Sequence, residues 1–302
     1  MNEIQEKKTA VRQWNRILNT VFIILKYNKI TIDNYICIKV FTDGTVSYLT
    51  VYTDNFLNTT NNETAFLELK RFCKEKIEMK VQEGSVLKYL NFRICQYPIG
   101  FSVYKTDQIM ELLNEWSPTG KFRNVDTLFR IESAYEKELL AAIPLTGNAL
   151  HKAEMEYHGK FRHTIGRTQH ISIMSRIDLC YATCRLATQT AAPTLPGFQG
   201  IKRCVQYLAS HPHKPTFYPS KYYDGSNLIR LTWSGNQVEY QKTQNCLEFY
   251  QYVDHAIIIN RRRPVSGIIN NLLGVYLFWK VHIQQYIESD STDRKLDACT
   301  NM

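Results

Sequence analysis

No apolar run in the 302-residue chain reaches the roughly 20 residues that a membrane-crossing helix needs; the longest, such as Leu272 to Trp279, are interrupted or far shorter. Nor is there a signal-like start, because Met1 to Lys8 is charged, so an intracellular protein, cytoplasmic or nuclear, is expected. The eight cysteines follow no repeating spacing, which argues against a disulfide framework and for reduced thiols. His158, His163 and His170 beside Cys180 and Cys184 suggest a zinc set. The chain lacks any Cys-x-x-Cys pair, however, and Cys180 and Cys184 fall on an expected helix beside Leu179 and Tyr181, so they read as small core residues. Acidic residues are scarce in one region only. Residues 121–214 hold 13 Lys and Arg against 7 Asp and Glu, and six of the eight histidines, so most of the net charge of +9 lies there. Such a face suits a phosphate backbone, or is a merely solvated surface.

With 44% hydrophobic residues the chain can bury a sizeable core, and its length suggests two or three domains. It is organised around Asp33 to Asn58. Tyr35 to Phe41 and Val46 to Tyr52 are rich in β-branched and aromatic residues, and Thr42-Asp43-Gly44-Thr45 between them carries an Asp-Gly turn signal, so a β-hairpin is expected. The second strand ends in Tyr52-Thr53-Asp54-Asn55; by itself Asp54 reads as a turn aspartate closing a hairpin. Upstream, Glu6 to Leu25 repeats Val11, Trp14, Leu18, Val21, Phe22 and Leu25 at helical spacing, with Trp14 as a core anchor. Downstream, Asn58 to Asn62 reads as a polar loop and Glu63 to Met79 as a helix with Phe66, Leu69, Phe72, Cys73 and Ile77 on one face.

Val86 to Gln96 and Phe101 to Tyr104 form a second expected hairpin, and Thr106 caps a helix with Ile109, Leu112, Leu113 and Trp116 inward. Ser117-Pro118-Thr119-Gly120 ends it, and the domain boundary is placed there. Residues 151–210 read as helical, with Pro196 in a first turn after Thr194 and Ile201, Val205 and Leu208 facing inward. From residue 220 on the pattern turns to strands: Leu228 to Trp233, Ala256 to Ile259 and Ile268 to Trp279, with Arg261 to Gly267 as a turn.

The order of these motifs resembles the polymerase and ribonuclease H regions of copia-type retrotransposon polyproteins. The resemblance rests on Gln13-Trp14, Ile36-Cys37-Ile38-Lys39, Tyr52-Thr53-Asp54-Asn55, Leu87 to Ile94, Ser175 to Ala182, Ile201 to Leu208, and the Arg-Arg-x-x-Ser-Gly segment beginning at Arg262, and it covers roughly residues 10 to 295. It implies an α+β chain: a partial reverse transcriptase palm at residues 1–120, a basic helical thumb or connection at 121–214, and a truncated ribonuclease H-like α/β domain at 215–302. It also implies metal-binding carboxylates at the hairpin tip, where Asp54 and Asn55 now stand, with Asp54 as the candidate magnesium ligand. In the ribonuclease H-like part Asp254 and Asp293 stand among the family's acids, but Tyr252 replaces a leading aspartate.

Arg162, Arg167, Lys202 and Arg203 become the candidates for holding an RNA or DNA duplex or hybrid; a solvated helix face is the alternative. The resemblance implies that the family's first polymerase aspartate would lie ahead of this sequence and its last ribonuclease H helices beyond it. Since two-metal chemistry needs several carboxylates at once, the expectation is an inactive descendant of an RNA-directed DNA polymerase. Two alternatives remain: a repurposed nucleic-acid-binding or interaction protein, and an active polymerase completed by a partner.

Overall fold

The computed structural model describes residues 2–77, 79–128, 133–159, 161–219, 229–231, 237–239, 247–253, 265–272 and 275–284. It is a mixed α+β chain in two compact units, Met1–Leu90 and Asn91–Met302.

The first unit begins with helix α1 (Asn2–Ile24), followed by strands β1 (Asn28–Lys29), β2 (Ile36–Val40), β3 (Val46–Tyr52) and β4 (Asn55–Thr60), helix α2 (Glu63–Lys76) and strand β5 (Val86–Tyr89). The first four strands form an antiparallel sheet in the order β1-β2-β3-β4. The expected hairpin joins β2 to β3, with Cys37 opposite Leu49 and Val40 opposite Val46. Its turn works as the Asp-Gly signal implies: Asp43 accepts from the Thr45 N–H and hydroxyl, and Gly44 takes φ 81.

Alternation along β3 decides which face is covered. Ser47, Leu49 and Val51 are buried with Cys37, while Tyr48 and Tyr52 point outward. Leu18, Val21, Phe22 and Leu25 cover the buried face from the α1 side, and Leu69 and Cys73 from α2. Each such aliphatic or aromatic side chain contributes on the order of 2 kcal/mol when fully buried, which outweighs the low helix propensity of the β-branched residues in α1. Ser47 is the polar exception; it is paired with the Tyr27 hydroxyl at 2.7 Å and accepts from Asn58 Nδ2 at 2.8 Å. Burial pushes the Tyr27 hydroxyl up from its ordinary pKa.

Two expectations change here. Asn58–Thr60 is not loop but the end of β4, because Leu57 and Phe56 pair with Thr50 and Val51 and extend the sheet by a third long strand. The run from Val86 is broken rather than continuous: Leu90 and Asn91 take φ 47 and 62, so β5 stops at Tyr89 and β6 (Phe92–Tyr97) starts afresh. Asn62 caps α2, its Oδ1 accepting from the Ala65 N–H at 2.9 Å.

The second unit opens with β6 and β7 (Gly100–Tyr104), closed so that Tyr97 lies opposite Gly100. Helices α3 (Thr106–Trp116), α4 (Ser133–Ala141), α5 (Gly147–Glu156), α6 (Phe161–Met174), α7 (Cys180–Ala187) and α8 (Leu195–Ser210) follow, with a short 3-10 turn at Ile177–Leu179. They share one core, including Ile109, Leu112, Trp116, Phe161, Leu186, Phe198, Ile201 and Leu208. α3 therefore packs with the helices that follow it. It starts after Lys105, and no side chain at that position caps it; the Thr106 hydroxyl instead lies 3.5 Å from His213 Nδ1. α8 starts as its sequence implies, Thr194 Oγ1 accepting from the Gly197 N–H at 3.2 Å with Pro196 in the first turn.

Strand β8 (Thr216–Pro219) returns to pair with β7, and Phe101 stacks on Tyr218 across that pair at 4.9 Å. Short strands β9 (Ile229–Leu231) and β10 (Gln237–Glu239) pair with each other. β11 (Leu247–Val253), β12 (Val265–Leu272) and β13 (Val275–Ile283) form an antiparallel meander. The run Ile268 to Trp279 is thus two strands, not one, with Ile269 facing Trp279 across the ladder. Arg261 to Pro264 and Ala256 to Ile259 lie outside the described residues, and Val265 to Gly267 are already strand. Among the described residues no helix is long and apolar enough to cross a membrane, and none of the six described cysteines is in a disulfide.

Candidate functional site

Register fixes the tip that carries Asp54. Tyr52 is the last β3 residue and pairs with Asn55, the first of β4, so Thr53 and Asp54 are the two residues of a tight turn. A two-residue hairpin requires positive φ at one or both central positions. Here Thr53 supplies it, at φ 55. That conformation is costly for a β-branched residue. The Trp14 indole N–H donates to the Thr53 carbonyl at 2.5 Å, and the indole ring sits 6.4 Å from that of Phe56. Trp14 is only partly buried, against the edge of the core.

Asp54 is exposed, and Asn55 Nδ2 donates to its Oδ1 at 2.9 Å. One carboxylate, with an amide hydrogen on one of its oxygens, is the donor set at this tip. Among the described residues no three His, Cys, Asp or Glu side chains converge in a way that could hold a metal ion. A pair of magnesium ions demands more anionic oxygen than this. Asp254 and Asp293 lie outside the described residues; β11 ends at Val253, opposite Ser266.

The four basic candidates fall into two kinds. Arg162 and Lys202 are exposed, and Lys202 Nζ lies 5.4 Å from the centroid of the Tyr157 ring. Arg167 directs its charge onto the protein itself, to Glu115, to Glu111 at 3.4 Å and to the Gln108 carbonyl. Arg203 is likewise engaged, donating through Nε to the Thr127 carbonyl at 2.9 Å and through a terminal nitrogen to the Thr127 hydroxyl at 2.7 Å.

A polar centre to which motif order assigns no role lies in Ser175 to Ala182. Arg176 is 1% exposed. Its Nε and one terminal nitrogen reach the two Asp178 oxygens at 3.0 and 2.9 Å, and the other terminal nitrogen reaches the His211 carbonyl at 2.7 Å. The Tyr207 hydroxyl also donates to Asp178, at 2.9 Å, and Lys214 lies 3.4 Å away. Burial acts to raise the Asp178 carboxyl, but hydrogen bonds and charge from Arg176, then Tyr207 and Lys214, hold it below the ordinary carboxylate range. The signal in the sequence is the Arg-x-Asp spacing itself, which suits a bidentate pair. Burial pushes the Cys180 thiol up to about 11 and the Cys204 thiol up to about 12.

The chain is 22% identical over 232 residues to the Retrovirus-related Pol polyprotein from transposon RE1 of Arabidopsis thaliana; the match covers 75% of this chain and 14% of that protein. This likeness supports an origin in a retrotransposon polyprotein of the copia-like kind. No family model matches the chain. No solved structure matches it.

Proposed function

We propose that this chain is a retroelement-derived reverse transcriptase palm with a basic helical connection and a ribonuclease H-like segment, and that it does not polymerise or cleave by itself. The likeness to a transposon polyprotein supports the origin. The palm assignment is supported by a sheet with α1 and α2 on one face and an aspartate at the β3–β4 tip. The ribonuclease H-like assignment is supported by the β11-β12-β13 meander, whose first strand ends immediately before Asp254.

The observation that carries the loss of catalysis is the Asn55–Asp54 hydrogen bond. Where a second carboxylate would add a negative charge for a cation, a neutral amide donates a hydrogen to the first. Among the described residues the donor set does not fit two magnesium ions. What remains is sequence-independent contact with an RNA or DNA duplex, to which exposed Arg162 and Lys202 contribute. Template-directed primer extension tests this: no extension is expected with magnesium or manganese, and metal-dependent extension would overturn it.

A further inference from the structure

We propose that Trp14 is a positioning residue for the Thr53–Asp54 turn, an inference that rests on the palm reading of this tip. Its indole N–H holds the Thr53 carbonyl, stabilises a β-branched residue at positive φ, and so sets the direction in which the Asp54 carboxylate leaves the hairpin.

Three observations converge on this. Thr53 is a non-glycine residue at φ 55, and its β-branch makes that region unfavourable without outside support. The support is a hydrogen bond from α1, 39 residues away in sequence, at 2.5 Å. The ring that carries the donor also packs 6.4 Å from Phe56, on the strand that leaves the turn, so rotation of the indole is opposed on the same side. Both ends of the turn are thereby tied to α1, which is itself fixed by Leu18, Val21 and Phe22 in the core. An aspartate on a turn held only by its two strands would sample several directions. Here the backbone before it is clamped by Trp14, and its own side chain is tied to Asn55 at 2.9 Å.

The test uses the full chain and nuclear magnetic resonance of its indole and amide groups. In the natural chain the Trp14 indole proton is expected downfield, exchanging at least about fivefold more slowly than a solvent-exposed indole. Trp14→Phe keeps an aromatic ring beside Phe56 and removes only the donor; it is expected to shift the backbone amides of Tyr52 to Phe56 and the Asn55 side-chain amide. Thr53→Gly removes the cost of positive φ, so adding Trp14→Phe to it is expected to shift those amides far less. A role confined to packing would show no such dependence on residue 53. A freely exchanging indole proton in the natural chain overturns the proposal, as does an equal response to Trp14→Phe with Thr or Gly at position 53. Broadening by manganese(II), recorded on the same samples, reports separately on whether Asp54 takes a cation, so failure of the metal-site ancestry and failure of the clamp are told apart.

Discussion

Arg176 and Asp178 meet side-on inside the second unit, two nitrogens on two oxygens at 3.0 and 2.9 Å, with the arginine 1% exposed. A buried pair of this kind contributes little beyond a well-packed apolar pair, yet breaking it by removing one partner is costly. Asp178→Asn leaves the Arg176 charge buried without an anion, and is expected to destabilise the helical unit by on the order of 3–5 kcal/mol. The midpoint of urea unfolding, with slope unchanged, measures it.

The same carboxylate sets an acid limit. Its folded pKa is depressed, so it stabilises the fold above its unfolded value, and that contribution is lost as pH falls through the folded value. Unfolding midpoints from neutral pH down through the carboxylate range should therefore decline more steeply for the natural chain than for Asp178→Asn. Parallel declines would show that Asp178 carries no such linkage.

Gly200 marks a close packing point. A Cβ there would lie 2.1 Å from the Tyr135 hydroxyl, which donates to the Pro196 carbonyl, and 2.8 Å from Leu186 Cδ2. Gly200→Ala adds about 1 kcal/mol of helix propensity, but overpacking costs roughly 1–3 kcal/mol, so net destabilisation is expected. A raised melting temperature for Gly200→Ala would refute the close approach.

Much of the first unit is legible in sequence because local signals agree: the Asp-Gly turn, the alternation in Val46 to Tyr52, and the apolar stripe from Leu18 to Leu25 all describe one layer. β4 is hidden because Asn55, Asn58, Thr59 and Thr60 carry a turn-like composition; pairing with β3 overrides it. The turn at Asp54 can be placed from sequence, but not its clamp, since nothing local links Trp14 to Thr53 across 39 residues. The roles of the basic residues are equally hidden. Composition counts Arg167 and Arg162 alike, whereas the partners that separate them, Glu111 and Glu115, come from another helix.

The proposed duplex contact makes that separation testable. Arg162→Ala with Lys202→Ala should weaken duplex affinity and flatten its dependence on salt by about one unit of logarithmic slope for each phosphate no longer neutralised. Arg167→Ala with Arg203→Ala should leave the slope unchanged and lower thermal stability instead, because those side chains hold Glu115 and Thr127. Fluorescence anisotropy over a salt series distinguishes the two pairs.

Primer extension on an RNA template, with magnesium and with manganese, tests most directly the proposal that the Asp54–Asn55 tip does not catalyse polymerisation. The natural chain, Asp54→Ala and Asn55→Asp are all expected to give no product, since Asn55→Asp restores one acid where several are required and no further acids converge among the described residues. Metal-dependent extension by the natural chain, abolished by Asp54→Ala, would contradict this and identify the tip as a working polymerase site.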